Sequence, residues 1–257
     1  MLQWVCRGGA APKKTPTSPT LDSSQVAIIF SECSTAMEVS FCAFIDCCAS
    51  NLGQEVALYV KKHFAKELVK LASYKSKCYK EALEECFIKM DELMETKQGK
   101  EELAAFQKDS FAENAKSFAG CTATVILVTK TEIICANAGD SRTVLAKNGT
   151  AVELSQDHKP EEVNEMRRIQ NAGGFVEDGR VNGMLALSRA LGDFEYKNNP
   201  MFKPKDQVVS PFPDVKIVPI TSDAQFVLLA CDGIWDVKTS QEAVTYTIKT
   251  MYKNNFT

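Results

Sequence analysis

Helix-period and strand-period sequence are segregated along this chain, and that order limits the folds open to it. From Gly53 to Tyr74, GQEVALYVKKHFAKELVKLASY sets Val56, Val60, Phe64, Leu68 and Leu71 at spacings of three and four. This is the apolar stripe of an amphipathic helix, which makes His63 a structural residue. Leu83, Phe87, Met90 and Met94 repeat the stripe over 79–95. Near Gly120 the texture changes. CTATVILVTK, TEIICANAG and RTVLAKNGTAVEL are short runs rich in Val, Ile and Thr, which predicts strands, and Asn148-Gly149 is a hairpin signal. KPEEVNEMRRIQNAGG (159–174) predicts a helix with Pro160 near its first turn and Gly173 at its stop. PDVKIVPI and AQFVLLA read as further strands, and QEAVTYTIKTMYK as a closing helix. A parallel sheet would need strict alternation of strand and helix. Blocks of each type predict the α+β class with antiparallel sheets.

The 257 residues suit one large domain. RGGAAPKKTPTSPTLDSS (7–24) is rich in Gly, Pro, Ser and Thr, so residues 1–24 are expected to form a disordered tail and 25–257 a single domain. A net charge of −3 gives no basis for a nucleic-acid or anionic-membrane partner. No apolar run reaches the length of a membrane span, and the N-terminus lacks a signal-peptide pattern and a Met-Gly start. Ten cysteines without a C-x-x-C pair predict reduced thiols in an intracellular protein, cytoplasmic or nuclear. With His63 and His158 as the only histidines, a zinc site of His and Cys is not expected.

Acidic residues recur directly after strands. Asp140 ends ANAGD, Asp193 ends LSRALGD, and Asp232 and Asp236 flank GIW in LLACDGIWDV. Asp and Gly favour turns, so each position alone reads as a capped turn. Together, oxygen-only donors on strand-end loops suit a hard divalent cation such as Mg²⁺ or Mn²⁺.

The order and wording of AGCTATVILV, ANAGDSRTVL, DHKP, AGGFVEDGRVNGMLALSRALGD, PDVK and LLACDGIWDV resemble the metal-dependent protein phosphatases of type 2C, the PPM family, over roughly residues 40–245. The resemblance implies two antiparallel sheets in a sandwich flanked by helices, with a two-metal site in a cleft at one end. It implies hydrolysis of phosphoserine and phosphothreonine in phosphoproteins by a metal-activated water, without a phosphoenzyme. Carried over, Asp232 matches a main metal ligand, and Asp140 and Asp236 join it as the group for a weaker third ion. Gly233 lets the backbone pass close to the ions. Arg180 and Asp193 sit in matching motifs, with Arg180 the candidate for substrate contact.

Three departures stand beside these matches. The family ends its first ligand strand in Asp-Gly-His-Gly-Gly, whereas this chain reads CAFIDCCASNLGQEV (42–56). Asp46 takes the Asp position, and Cys47-Cys48 replace Gly and the general-acid His. The family's Arg-x-x-Met-Glu-Asp is met only by Met37-Glu38, with Ser34 in place of the phosphate-gripping Arg. Glu38 is thus the remaining candidate ligand of that motif. The family closes with Asp-Asn on a late strand, and this chain stops at YKNNFT, which predicts a domain incomplete at its C-terminal end with an unpaired sheet edge. No catalytic residue is therefore assigned. Two readings stay open: a Mg²⁺- or Mn²⁺-dependent serine/threonine phosphatase, and a catalytically inactive relative acting as a binding or scaffold protein. A phosphatase using Cys47 or Cys48 is rejected because CCASN offers no Arg to hold the anion.

Overall fold

The computed structural model describes residues 6–7, 26–30, 39–47, 54–108 and 120–253. Its strands form two antiparallel sheets. The first runs β1 (Cys6–Arg7), β2 (Val26–Phe30), β12 (Ala224–Ala230), β6 (Arg142–Lys147), β7 (Thr150–Glu153). The second joins β3 (Ser40–Cys47), β4 (Gly120–Val128), β5 (Glu132–Ala138) and β11 (Asp214–Pro219). The short β10 (Leu191–Gly192) pairs with β4 at Gly120 and Cys121, beyond the end of β5. Cys6–Arg7, inside the stretch expected to be a tail, pairs with Ile28 and Ile29; the rest of 1–24 lies outside the described residues.

Alternation along the strands builds the layers. Ile126, Val128, Ile133 and Cys135 of one sheet meet Leu145, Val227 and Leu229 of the other between the sheets. Intervening residues face outward, and helices cover them. Val125, Leu127, Ile134 and Ala136 pack beneath α1 (Gln54–Leu68) and α3 (Tyr79–Glu95), where Phe64 and Phe87 meet edge to face at 5.2 Å. Val144, Phe226 and Leu228 pack beneath α6 (Asp232–Trp235) and α7 (Ser240–Lys253). Burial on both faces is why VILV (125–128) is a continuous apolar run rather than an alternating one. Each fully buried Phe or Leu contributes about 1.5–3 kcal/mol.

The helix boundaries differ from the sequence reading in three places. The first helix stops at Leu68, and α2 (Ala72–Lys75) follows as a separate turn; the chain tightens through Lys70 N–H to Glu67 O and Leu71 N–H to Leu68 O, with no Gly or Pro to signal it. A further helix, α4 (Lys97–Lys108), starts where the Thr96 hydroxyl accepts the Gly99 N–H at 3.0 Å. His63 Nε2 ties α1 to it through Glu102 Oε1 at 2.9 Å, a structural role. Finally, α5 (Val163–Asn171) starts four residues later than 159. It stops as expected at Gly173, with φ +93° and Gly174 N–H closing on Ile169 O. The predicted Asn148-Gly149 turn joins β6 to β7 with both residues at positive φ. After α5 comes the small hairpin of β8 (Val176–Glu177) and β9 (Arg180–Val181).

Candidate active site

One end of the sandwich is polar. Thr124 Oγ1 meets Thr143 Oγ1 across the sheets at 2.7 Å, and nearer that end Thr122 Oγ1 meets Ser141 Oγ at 2.8 Å. Asp46 takes the register position opposite Thr122, one residue before β3 ends. The turn Gly139-Asp140-Ser141 packs directly on Thr122. Gly139 has φ +117°, and a Cβ there would lie 2.5 Å from Thr122 Cγ2, so the position demands glycine twice over. Asp140 is therefore delivered, buried, to the same end of the sandwich as Asp46.

Asp232 and Asp236 arrive from the other sheet. Where β12 ends, the chain makes the single turn of α6, closed by Asp236 N–H to Asp232 O at 2.8 Å. Trp235 fixes this turn: its Nε1–H donates to Ala230 O at 2.7 Å, and the Arg142 guanidinium lies over its ring at 5.2 Å. Arg142 also grips Asp157 with two bonds of 2.8 Å. Both aspartates of α6 are left exposed.

Electrostatics couple these residues. Burial pushes the Asp140 carboxyl above its ordinary range; Lys159 opposes this, while the charges of Asp232 and Asp157 reinforce it. Lys159 Nζ donates to Asp140 Oδ2. Burial works against the ammonium, but the bond to Asp140 and the charges of Asp140, Asp157 and Asp236 hold its pKa above the usual lysine value. The adjacent His158 is buried and bolts this segment down. Gly139 N–H donates to Nδ1 at 3.2 Å, so the ring hydrogen sits on Nε2, which reaches Asp214 Oδ2 at 3.2 Å.

Asp193 and Arg180 lie in other surroundings. Asp193 is 2% exposed, has φ +48°, and packs on Gly120, where a Cβ would fall 1.9 Å from its Oδ2. Among the described residues that oxygen has no hydrogen-bond partner. Burial, reinforced by Asp91 and Glu195 against Lys197, raises its pKa to about 7. Arg180 is exposed on β9 and donates to Met184 O at 2.7 Å. Among the described residues no hydrogen bond or ion pair joins Arg180 to Asp140, Asp232 or Asp236. Glu38 lies outside the described residues.

The donors that meet here suit a hard cation in kind, being carboxylate oxygens, and one positive charge, the Lys159 ammonium, already stands among them. Among the described residues no three His, Cys, Asp or Glu side chains form a complete metal-holding group. The sequence reading named neither Lys159 nor His158 in the site. The signal available for them was DHKP itself, a cation and an imidazole next to a strand in a chain whose other strands end in acids.

The model of protein phosphatase 2C matches residues 21–256. The chain belongs to the protein phosphatase 2C family. A relative described as probable protein phosphatase 2C 3 of Paramecium tetraurelia is 46% identical over 199 residues, 77% of this chain and 65% of the relative. Protein phosphatase 2C homolog 3 of Schizosaccharomyces pombe is 42% identical over 228 residues, 88% of this chain and 51% of the relative. The chain thus spans about half to two thirds of the length of these protein phosphatase 2C relatives. A crystal structure of a phosphatase from a pathogenic strain of Toxoplasma gondii superposes with a TM-score of 0.67 at 23% identity, over 90% of this chain and 84% of that one, which shows a shared fold. No helix among the described residues is long and apolar enough to cross a membrane.

Proposed function

We propose that this chain is a protein serine/threonine phosphatase that hydrolyses phosphoserine and phosphothreonine in phosphoprotein substrates and depends on Mg²⁺ or Mn²⁺. The observation that carries the reading is the match to protein phosphatase 2C over 21–256, in a chain whose buried Asp140 rides the turn packed on Thr122 and whose exposed Asp232 and Asp236 stand where β12 ends. Asp46, Asp140, Asp232 and Asp236, with Glu38, are the residues that would hold the ions. Bound there, a divalent cation supplies Lewis acidity toward phosphoryl oxygens and a water acidic enough to attack at neutral pH.

The chain's own residues have separate tasks in this reading. Trp235 and Arg142 hold α6 rigid, so that Asp232 and Asp236 keep fixed positions on an exposed rim. Gly139 and His158 fix the turn that carries Asp140. Arg180, on its hairpin, is the proposed contact for substrate beyond the phosphoryl group. The single domain is proposed to span 25–257. Buried free thiols support an intracellular setting: burial raises the pKa of Cys135 to about 11 and that of Cys86 further.

The test is hydrolysis of a phosphothreonine peptide by the 257-residue chain across a Mn²⁺ titration, beside Asp232→Ala. The expected result is metal-dependent turnover that the substitution abolishes. A folded chain with no turnover at any Mn²⁺ concentration would overturn the proposal in favour of an inactive, binding relative.

A further inference from the structure

Lys159 is no loose surface lysine. Its neighbour His158 is clamped to the Asp140 turn by His158 N–H to Gly139 O at 3.1 Å and Gly139 N–H to Nδ1 at 3.2 Å. Asn137 Nδ2 donates to the same Gly139 oxygen at 3.0 Å, and Ser188 N–H donates to His158 O at 3.3 Å. The backbone of 158–159 therefore runs at a fixed distance from 139–140, and the Lys159 side chain is aimed at Asp140 Oδ2. The competing acid, Asp157, is held by the Arg142 fork. Among the described residues, that leaves Asp140 as the carboxylate the Lys159 ammonium contacts, with the charge of Asp236 also acting on it.

The burial of the two partners is unequal. The Asp140 side chain is 7% exposed and that of Lys159 is 42% exposed. A buried carboxylate is costly to leave unpaired, whereas a half-exposed ammonium can swing into water at small cost. The pair is built to come apart from the lysine side.

We propose that Lys159 is a built-in counter-cation: its ammonium occupies Asp140 in the ion-free chain and is displaced when a divalent cation takes that carboxylate. The inference rests on the metal-dependent reading above and adds what sets its ion affinity. Cation binding at Asp140 is then an exchange of one positive charge for two, weaker than binding to free carboxylates by the cost of evicting the lysine.

Calorimetric titration with Mn²⁺ alone tests it on the full chain, with Lys159→Met, Lys159→Arg and Asp140→Asn beside the wild type. Removing one adjacent charge at partial exposure is expected to tighten Mn²⁺ binding by about ten- to a hundredfold in Lys159→Met. Lys159→Arg, which keeps the charge, should stay within about threefold of wild type, and the Lys159→Met effect should vanish in the Asp140→Asn background. Should Lys159→Met fail to fold, Lys159→Gln takes its place. Detectable Mn²⁺ binding in Lys159→Met alone also supports the exchange. Wild type and Lys159→Met binding equally well would overturn the inference and leave the metal-dependent reading standing. Folded chains that all fail to bind Mn²⁺ would overturn both.

Discussion

Two acid-bearing regions of this molecule lie on either side of His158, and they treat negative charge in opposite ways. Around Glu165 the charge is balanced. Glu165 takes bonds from Arg168 at 2.5 Å, Arg189 at 2.7 Å and Ser188 at 2.6 Å, and Arg189 also reaches Asp214 at 2.7 Å. Burial raises the Glu165 pKa, but the two arginines and Ser188 outweigh it and hold the value at about 2. Asp214 is lowered by the His158 bond and by Arg189 against its own burial. Around Asp140, three carboxylates face one ammonium, and the Asp140 carboxyl is raised. A region that neutralises itself holds a fold together. One left with surplus charge costs stability and suits the capture of something from outside.

The largest effect that could break this contrast is at Glu165. Glu165→Gln leaves buried Arg168 without its carboxylate and Arg189 with Asp214 alone, and urea denaturation is expected to show a loss of about 3–5 kcal/mol. A loss below about 1 kcal/mol would mean the balanced region is not what holds α5 in place. Next is the backbone that carries the acid end. Gly139→Ala meets both a positive φ and Thr122 Cγ2, so a loss of about 2–3 kcal/mol is expected in the same measurement.

Asp193 sharpens the comparison, because it is buried against Gly120 and, among the described residues, makes no hydrogen bond or ion pair with Asp140, Asp232 or Asp236. Its pKa rises from the ordinary 3.8 to about 7 on folding, so the folded chain holds a proton that the unfolded chain releases. Stability from this group is full below about pH 4 and falls as pH rises toward 7. Asp193→Asn should remove that dependence and stabilise the chain by up to about 4 kcal/mol at pH 8, with little effect at pH 4. Glu165 works in the opposite sense: its folded pKa of about 2 lies below the ordinary 4.5, so its stabilisation is complete above pH 4.5 and is lost as pH falls toward 2. Urea midpoints measured across pH should show both limbs, each flattened by its own substitution. The smallest effect is expected at the rim, where Asp232→Asn should change ion-free stability by no more than about 0.5 kcal/mol. A large loss there would mean that the acid end is structural after all.

Much of this was legible in the sequence because it depends on local period. The stripes of α1 and α3, the double-buried runs of β4 and β12, and the Asn148-Gly149 turn are set by neighbours within a few residues. The strand-end acids were legible too, since Asp140 and Asp232 each follow an apolar run that stops. What escaped is tertiary. The break after Leu68 carries no Gly or Pro, and α4 is a polar helix started by a threonine cap. The late start of α5 follows from His158 and Lys159 being tied to a turn nineteen residues earlier. The Glu165–Arg189 bond likewise spans 24 residues, and no pattern of spacing announces it.

The indole of Trp235 gives this chain an optical reporter of its own. It is 9% exposed, lies between Asp232 and Asp236 in sequence, and touches the Ala230 carbonyl and the Arg142 guanidinium. With Trp4 as the only other tryptophan, Trp4→Phe would leave a single emitter at the foot of α6. Its fluorescence would then follow the occupancy of the rim in real time, without a label and without a substrate.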